Sequence, residues 1–224
     1  MHSKRWVDHG WGVIEFVDVL PIDPVFLEGW LARRKEQEPS DYTLLDDGTF
    51  MNRGGYVYTA EQIAESPGRL LFLDKNASDE DIEFVQEIDK AMSKCIHDYC
   101  FLFPDVMESI WWRAQPHVAT YGETAHMGFH HDNLVGAGSE SEQAIYSVLT
   151  GSLILKDCDK GGYLGFKYPN KHVKPKAGSA LIYSAGYLGT HEVTPVESGE
   201  RVSFLEFFGH GSLPGSTPFI HSEE

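Results

Sequence analysis

His130, Asp132 and His191 are the residues whose types and spacing point to chemistry. His130-His131-Asp132 closes a segment that reads as a β-strand. In a strand, side chains at i and i+2 share a face. His130 and Asp132 therefore point one way and His131 the other. An imidazole from a distant strand, His191, would complete a set of two imidazoles and one carboxylate. Such a set suits Fe(II) and leaves three positions open for a co-substrate and O2. The triplet alone carries little weight. With 11 His and 15 Asp among 224 residues, chance supplies about 0.7 of a His-x-Asp triplet. The weight lies in the ordered residues around it.

The elements that must position these residues fall into two regimes. Before residue 110, helix signals dominate. Asp23-Pro24 reads as an N-cap followed by Pro at the first helical position, opening a helix through Phe26, Leu27, Trp30 and Leu31. Ser78-Asp79-Glu80-Asp81 has the form of a capping box. It precedes Ile82, Phe84, Val85, Ile88, Ala91, Met92, Cys95 and Ile96. That apolar stripe of period 3.6 predicts a second helix ending near His97–Tyr99. After residue 110 the predicted elements are strands: Trp111–Tyr121, His126–His131, Ala144–Leu149, Ser152–Lys156, Tyr163–Tyr168, Ser179–Tyr183, Glu192–Val196 and Arg201–Phe208. Gly161-Gly162, Pro169, Pro175, Pro195 and Gly199 punctuate them. Eight short strands at this spacing predict a mainly β fold, a sandwich or jelly roll with flanking α-helices. The polar stretch Asp132–Gln143 and the segment Asp41–Tyr56 read as loops, either lids or plain connections.

A chain of 224 residues is long enough for one domain with its own core. The expected organisation is a single domain over 1–224. Residues 1–110 form a helical N-terminal elaboration, 111–209 the core and 210–224 a tail. A 42% hydrophobic and 23% charged composition excludes collagen-like, disulfide-scaffold and wholly disordered classes. A net charge of −16 repels phosphate backbones and anionic bilayers, which argues against nucleic-acid and membrane partners. Cys95, Cys100 and Cys158 form no C-x-x-C and read as free thiols of a reducing compartment. Met1–Trp6 runs into mixed polar sequence without a signal-peptide core. Apolar runs such as Leu70–Leu73 are far too short to span a bilayer. The expectation is a cytoplasmic protein; oligomeric state is not legible.

Taken in order, Tyr121, His130-x-Asp132, Gly161-Gly162, Val173-x-Pro175-x-x-Gly178 and His191-x-Val193-x-Pro195-Val196-x-x-Gly199-x-Arg201 resemble the Fe(II)/2-oxoglutarate-dependent oxygenases, in particular their prolyl-4-hydroxylase-like branch. The resemblance covers about residues 111–209. It implies a double-stranded β-helix (jelly roll) core, in keeping with the eight-strand reading. It implies His130, Asp132 and His191 as metal ligands and catalytic centre. It also implies Arg201 as partner of the distal carboxylate of 2-oxoglutarate, a task that suits the bidentate fork of a guanidinium. Ser203 shares a strand face with Arg201 and would add a hydroxyl to the same carboxylate. Tyr121 stands where the family has a tyrosine lining the co-substrate pocket. Tyr146 stands where a tyrosine often bonds the distal carboxylate. The implied cofactors are Fe(II), 2-oxoglutarate and O2, with ascorbate as an optional reductant. The implied activity is hydroxylation of an unactivated C–H bond with release of succinate and CO2. The carboxylate of Asp132 favours hydroxylation, desaturation or cyclisation over halogenation.

Two other classes stand beside this one. A non-catalytic jelly-roll binding protein would keep ligand-like residues without turnover. A cupin-type metalloenzyme would usually show His-x-His, which is absent here. No accessory peptide-binding domain or repeat is visible, which favours a small-molecule substrate such as a free amino acid or natural-product intermediate. The alternative is a prolyl or peptidyl hydroxylase acting on a protein or peptide side chain. Trp111, Trp112 and Arg113 read as packing residues, with substrate contact as the sharper alternative.

Overall fold

The first helix begins where Asp23 and Pro24 place it. The computed structural model describes residues 6–37, 42–52, 57–71, 77–114, 116–133, 147–210 and 217–218, and in it the helix runs Pro24–Gln37. Asp23 Oδ1 accepts from the backbone N–H of Val25 at 2.9 Å and of Phe26 at 3.4 Å, satisfying two donors that a helix start leaves orphaned. The second long helix runs Asp79–Leu102, and its Ser78 cap accepts from the N–H of Asp81, a contact worth about 1 kcal/mol. The carboxylate expected to complete a capping box is diverted. Asp81 is buried and takes Arg33 and Arg34 of the first helix instead. The helix runs past its expected end because Tyr99 and Cys100 still face the core. It stops before Pro104, which starts the short helix Pro104–Met107 and disfavours helical backbone at Phe103.

Two antiparallel sheets stack face to face. The larger runs, in order, Trp6–Asp8, Ile14–Phe16, Ala180–Ser184, Ser147–Lys156 and Arg201–Gly209. Trp112–Arg113 and His117–Tyr121 both pair with the last of these, and Gly68–Leu71 lies beyond His117–Tyr121. The smaller sheet runs Lys171–Val173, Leu164–Phe166, His191–Val193 and Met127–His130. The chain passes back and forth between the two, which makes the core a double-stranded β-helix.

Each strand divides its side chains between two cores. Along Arg201–Gly209, Val202, Phe204 and Phe208 face the long helix with its Ile88, Met92 and Ile96. Leu205 turns inward, where Tyr121, Phe166 and Tyr183 fill the space between the sheets. Gly151 lets helix and sheet meet, since a Cβ there would come within 2.5 Å of Met92 Sδ.

That same glycine corrects one expectation. A break at Gly151 would separate Ala144–Leu149 from Ser152–Lys156, yet a single strand, Ser147–Lys156, runs through it. Residues 144–146 lie outside the described residues. Trp111–Tyr121 is interrupted at Pro116, which has no N–H for the ladder, leaving Trp112–Arg113 and His117–Tyr121. Glu192–Val196 likewise breaks around Pro195 into His191–Val193 and Val196–Ser198. The first 110 residues also hold strands that helix signals did not announce. Trp6–Asp8, Ile14–Phe16 and Gly68–Leu71 extend the larger sheet, while Tyr42–Leu44, Phe50–Asn52 and Val57–Tyr58 form a separate one. Cys95, Cys100 and Cys158 are free and buried. Among the described residues no helix is long and apolar enough to cross a membrane.

Candidate metal and co-substrate site

His130 and His191 meet because their strands are neighbours in the smaller sheet. They are register partners, with ring centroids 4.4 Å apart. Asp132 follows just beyond the end of Met127–His130, and the three side chains offer ligand atoms that all lie within 4.8 Å of one another. The backbone decides which nitrogen each ring presents. His130 Nδ1 lies 2.9 Å from the carbonyl of Gly128, and His191 Nδ1 lies 2.9 Å from that of Gly189. A carbonyl only accepts, so Nδ1 carries the proton and Nε2 is left for a proton or a metal ion. Asp132 is tied to the opposite sheet. The Thr150 hydroxyl donates to its Oδ2 at 2.7 Å, while Oδ1 lies 3.4 Å from His130 Nε2. First-row ions bind such donors at roughly 2.0–2.2 Å, which sets cis ligands about 3 Å apart.

The electrostatics match cation binding. Burial alone would raise the Asp132 carboxyl, but the His130 hydrogen bond, the charge of His191 and the Thr150 hydroxyl hold it below the ordinary carboxylate range. The hydrogen bond to Asp132 raises His130, whereas burial lowers His191.

Arg201 forms a second pole. It is only 4% exposed, it opens the strand Arg201–Gly209, and its guanidinium carbon lies 5.4 Å from the ring centre of its register partner Tyr121. Among the described residues no carboxylate pairs with it. A buried cation without a counter-charge is costly, and burial lowers its pKa. Ile154, Cys158, Gly162 and Lys174 line a small pocket beside it. The Gly161-Gly162 pair shapes that wall. Both adopt left-handed φ, +71° and +62°, and a Cβ would fall 2.1 Å from the Pro195 carbonyl oxygen or 2.5 Å from Cys158 Sγ. Tyr183 stands between the poles: its hydroxyl lies 3.3 Å from His191 Nε2, and both Asp132 and Arg201 act on it electrostatically. A carboxylate–imidazole cluster at one end and a guanidinium that no described carboxylate pairs at the other form an arrangement that could take a dicarboxylate.

Ser203 lies on the Arg201 face of its strand, fully buried, and its Oγ has no partner among the described residues. Tyr146 and residues 134–143 of the loop Asp132–Gln143 lie outside the described residues. Arg113 is elsewhere: it pairs with Asp89 of the long helix and approaches Glu206 at 3.7 Å. Trp111 is exposed and donates its indole N–H to the Glu108 carbonyl. Thr150 and Tyr183 are contributors that the sequence did not single out. They are register partners on adjacent strands, so one rung holds Asp132 from one side and His191 from the other. Inward-facing hydroxyls in an otherwise apolar strand, Thr150 and Ser152, were the available signal.

The chain is similar to known proteins over part of its length. The profile of the 2OG-Fe(II) oxygenase superfamily matches residues 116–209, which include all four of His130, Asp132, His191 and Arg201. Over those residues the chain is similar to that superfamily. The chain is 34% identical over 90 residues to a PKHD-type hydroxylase of Nitrosomonas europaea, covering 38% of this chain and 39% of that protein. It is 38% identical over 86 residues to a PKHD-type hydroxylase of Shewanella sp. (strain ANA-3), covering 37% and 36%. The match thus spans about two fifths of the length of these curated relatives. The oxygenase fold is shared more widely. A prolyl hydroxylase of Trichoplax adhaerens, solved with a hypoxia inducible factor peptide fragment, superposes with a TM-score of 0.57 at 15% identity, over 88% of this chain and 83% of that one. A Pseudomonas putida prolyl-4-hydroxylase gives 0.53 at 19% identity over 89% and 92%.

Proposed function

We propose that this chain is an Fe(II)- and 2-oxoglutarate-dependent dioxygenase that hydroxylates an unactivated C–H bond and releases succinate and CO2. His130, Asp132 and His191 are the iron ligands in this proposal, and Arg201 holds the distal carboxylate of 2-oxoglutarate. The observation that carries it is the pairing of the two poles, a three-donor cluster and a buried guanidinium that no described carboxylate pairs, turned toward each other from the two sheets. Iron bound there would supply the O2 chemistry and chelate the keto-acid end of the co-substrate. The chain's own residues do the rest. The carbonyls of Gly128 and Gly189 fix the two imidazoles, and Thr150 fixes the carboxylate. Ser203 and Tyr121 flank Arg201. Phe166 packs 5.9 Å from the His191 ring and helps exclude water from that side.

The substrate is a small molecule or a peptidyl side chain. Size alone favours the former. The latter is supported by the names of the structural neighbours, prolyl hydroxylases, one of them solved with a peptide fragment. A prolyl or prolyl-like ring serves as the first chemistry to test in either form. Purified protein supplied with Fe(II), 2-oxoglutarate and O2 is expected to form succinate, and His130→Ala is expected to abolish it. Succinate formation untouched by that substitution overturns the ligand assignment. A wild-type protein that binds neither metal nor 2-oxoglutarate is a binding module rather than an enzyme.

A further inference from the structure

His117 has no role in the site so far. It lies on His117–Tyr121, two positions from Ala119 and four from Tyr121, and therefore shares their inward face. Its register partner on the next strand is Leu205, whose partner on the far side is Ser152. The three form one row across the inner face. The next row is Phe207 and Thr150, and Thr150 is the residue that holds Asp132. His117 thus stands one pleat repeat, roughly 7 Å along the strand, from the row that carries the metal cluster.

This row is built for a ligand. His117 is 8% exposed and Ser152 1% exposed, and among the described residues neither His117 Nδ1 nor Ser152 Oγ has a hydrogen-bond partner. Buried polar atoms are rarely left so. Leu205 and Phe207 are half-buried, although the residues facing the other way, Phe204, Glu206 and Phe208, are fully buried. Solvent therefore reaches the inner face at this end. The His117 ring leans on Phe207 at 5.9 Å. Arg69, exposed on the edge strand, is the register partner of Ala119 on that face. Burial, aided by the charge of Arg69, pushes the His117 pKa down to about 3. The neutral ring keeps one N–H, and beside a cation that N–H suits an oxygen acceptor.

We propose that His117 donates a hydrogen bond to a carbonyl or carboxylate oxygen of the primary substrate and so determines which C–H bond faces the metal cluster. The proposal rests on the oxygenase function above. Its test uses the full chain loaded with Mn(II) and 2-oxoglutarate, which does not turn over. Two probes are titrated by calorimetry: L-proline, which carries a free carboxylate, and N-acetyl-L-proline methylamide, which carries only amide carbonyls. At least one is expected to bind wild type, and whichever binds more tightly identifies the source of the oxygen. His117→Leu is expected to weaken that probe by about tenfold or more, the worth of one well-placed hydrogen bond. His117→Gln, which keeps an N–H, is expected to restore most of it, with 2-oxoglutarate affinity unchanged in both. Unaltered probe binding in His117→Leu overturns the proposal, as does failure of both probes to bind wild type. An equal loss of 2-oxoglutarate affinity does so too, because the ring then serves the co-substrate. Should His117→Leu fail to fold, the wild-type ring decides: its 15N-labelled N–H must shift on probe binding. A wild type that takes up neither Mn(II) nor 2-oxoglutarate instead brings down the oxygenase function itself.

Discussion

His130 and His191 face each other across one rung of the smaller sheet, and each donates from Nδ1 to the carbonyl two residues before it. The backbone, not the neighbouring ring, holds each imidazole. Removing one should leave the other in place. His130→Ala and His191→Ala are each expected to reduce Mn(II) affinity beyond the roughly 10- to 100-fold that outer partners of a metal site cost. Electron paramagnetic resonance of bound Mn(II) measures it. Wild-type affinity in either variant would remove that residue from the ligand set.

Thr150 makes a narrower test. Its hydroxyl is the anchor of Asp132 Oδ2. Thr150→Val keeps the shape and loses the donor, so metal affinity should fall roughly 10- to 100-fold while Thr150→Ser recovers it. Equal affinities for Val and Ser would show that the anchor is dispensable.

Arg201 carries a cost in the protein without co-substrate, because its charge is buried and no described carboxylate offsets it. Arg201→Met should abolish the thermal stabilisation that 2-oxoglutarate gives while leaving the unliganded Tm equal or higher. A variant that still gains Tm with 2-oxoglutarate would place the distal carboxylate elsewhere.

Glu206 predicts a pH dependence. It faces the helix side of the sheet, 1% exposed, and burial raises its pKa from 4.5 to about 8. Arg113 at 3.7 Å is too distant for a hydrogen bond and is already engaged by Asp89. The folded protein holds this proton more tightly than the unfolded chain does. The associated stability is therefore complete below pH 4.5 and lost as pH rises through 8. Its slope between those limits approaches about 1.4 kcal/mol per pH unit. Urea unfolding at pH 5 to 8 should show that decline, and Glu206→Gln should flatten it. An unchanged slope in the variant would assign the dependence to another group.

Local periodicity made the two long helices legible, and strand alternation put His130 and Asp132 on one face. Order along the chain tied them to His191 and Arg201. What stayed hidden is whatever depends on lateral neighbours. Thr150 and Tyr183 matter because they oppose each other on adjacent strands, a relation that a linear string does not display. Gly151 looks like a turn signal until Met92 is seen packed over it. The N-terminal strands of the larger sheet, three or four residues long, are too short to establish a period.

The two imidazoles belong to the smaller layer, while the carboxylate is moored to the larger one through Thr150. An ion shared by all three would act as a rivet between the layers. Metal loading would then be a mechanical property as well as a chemical one.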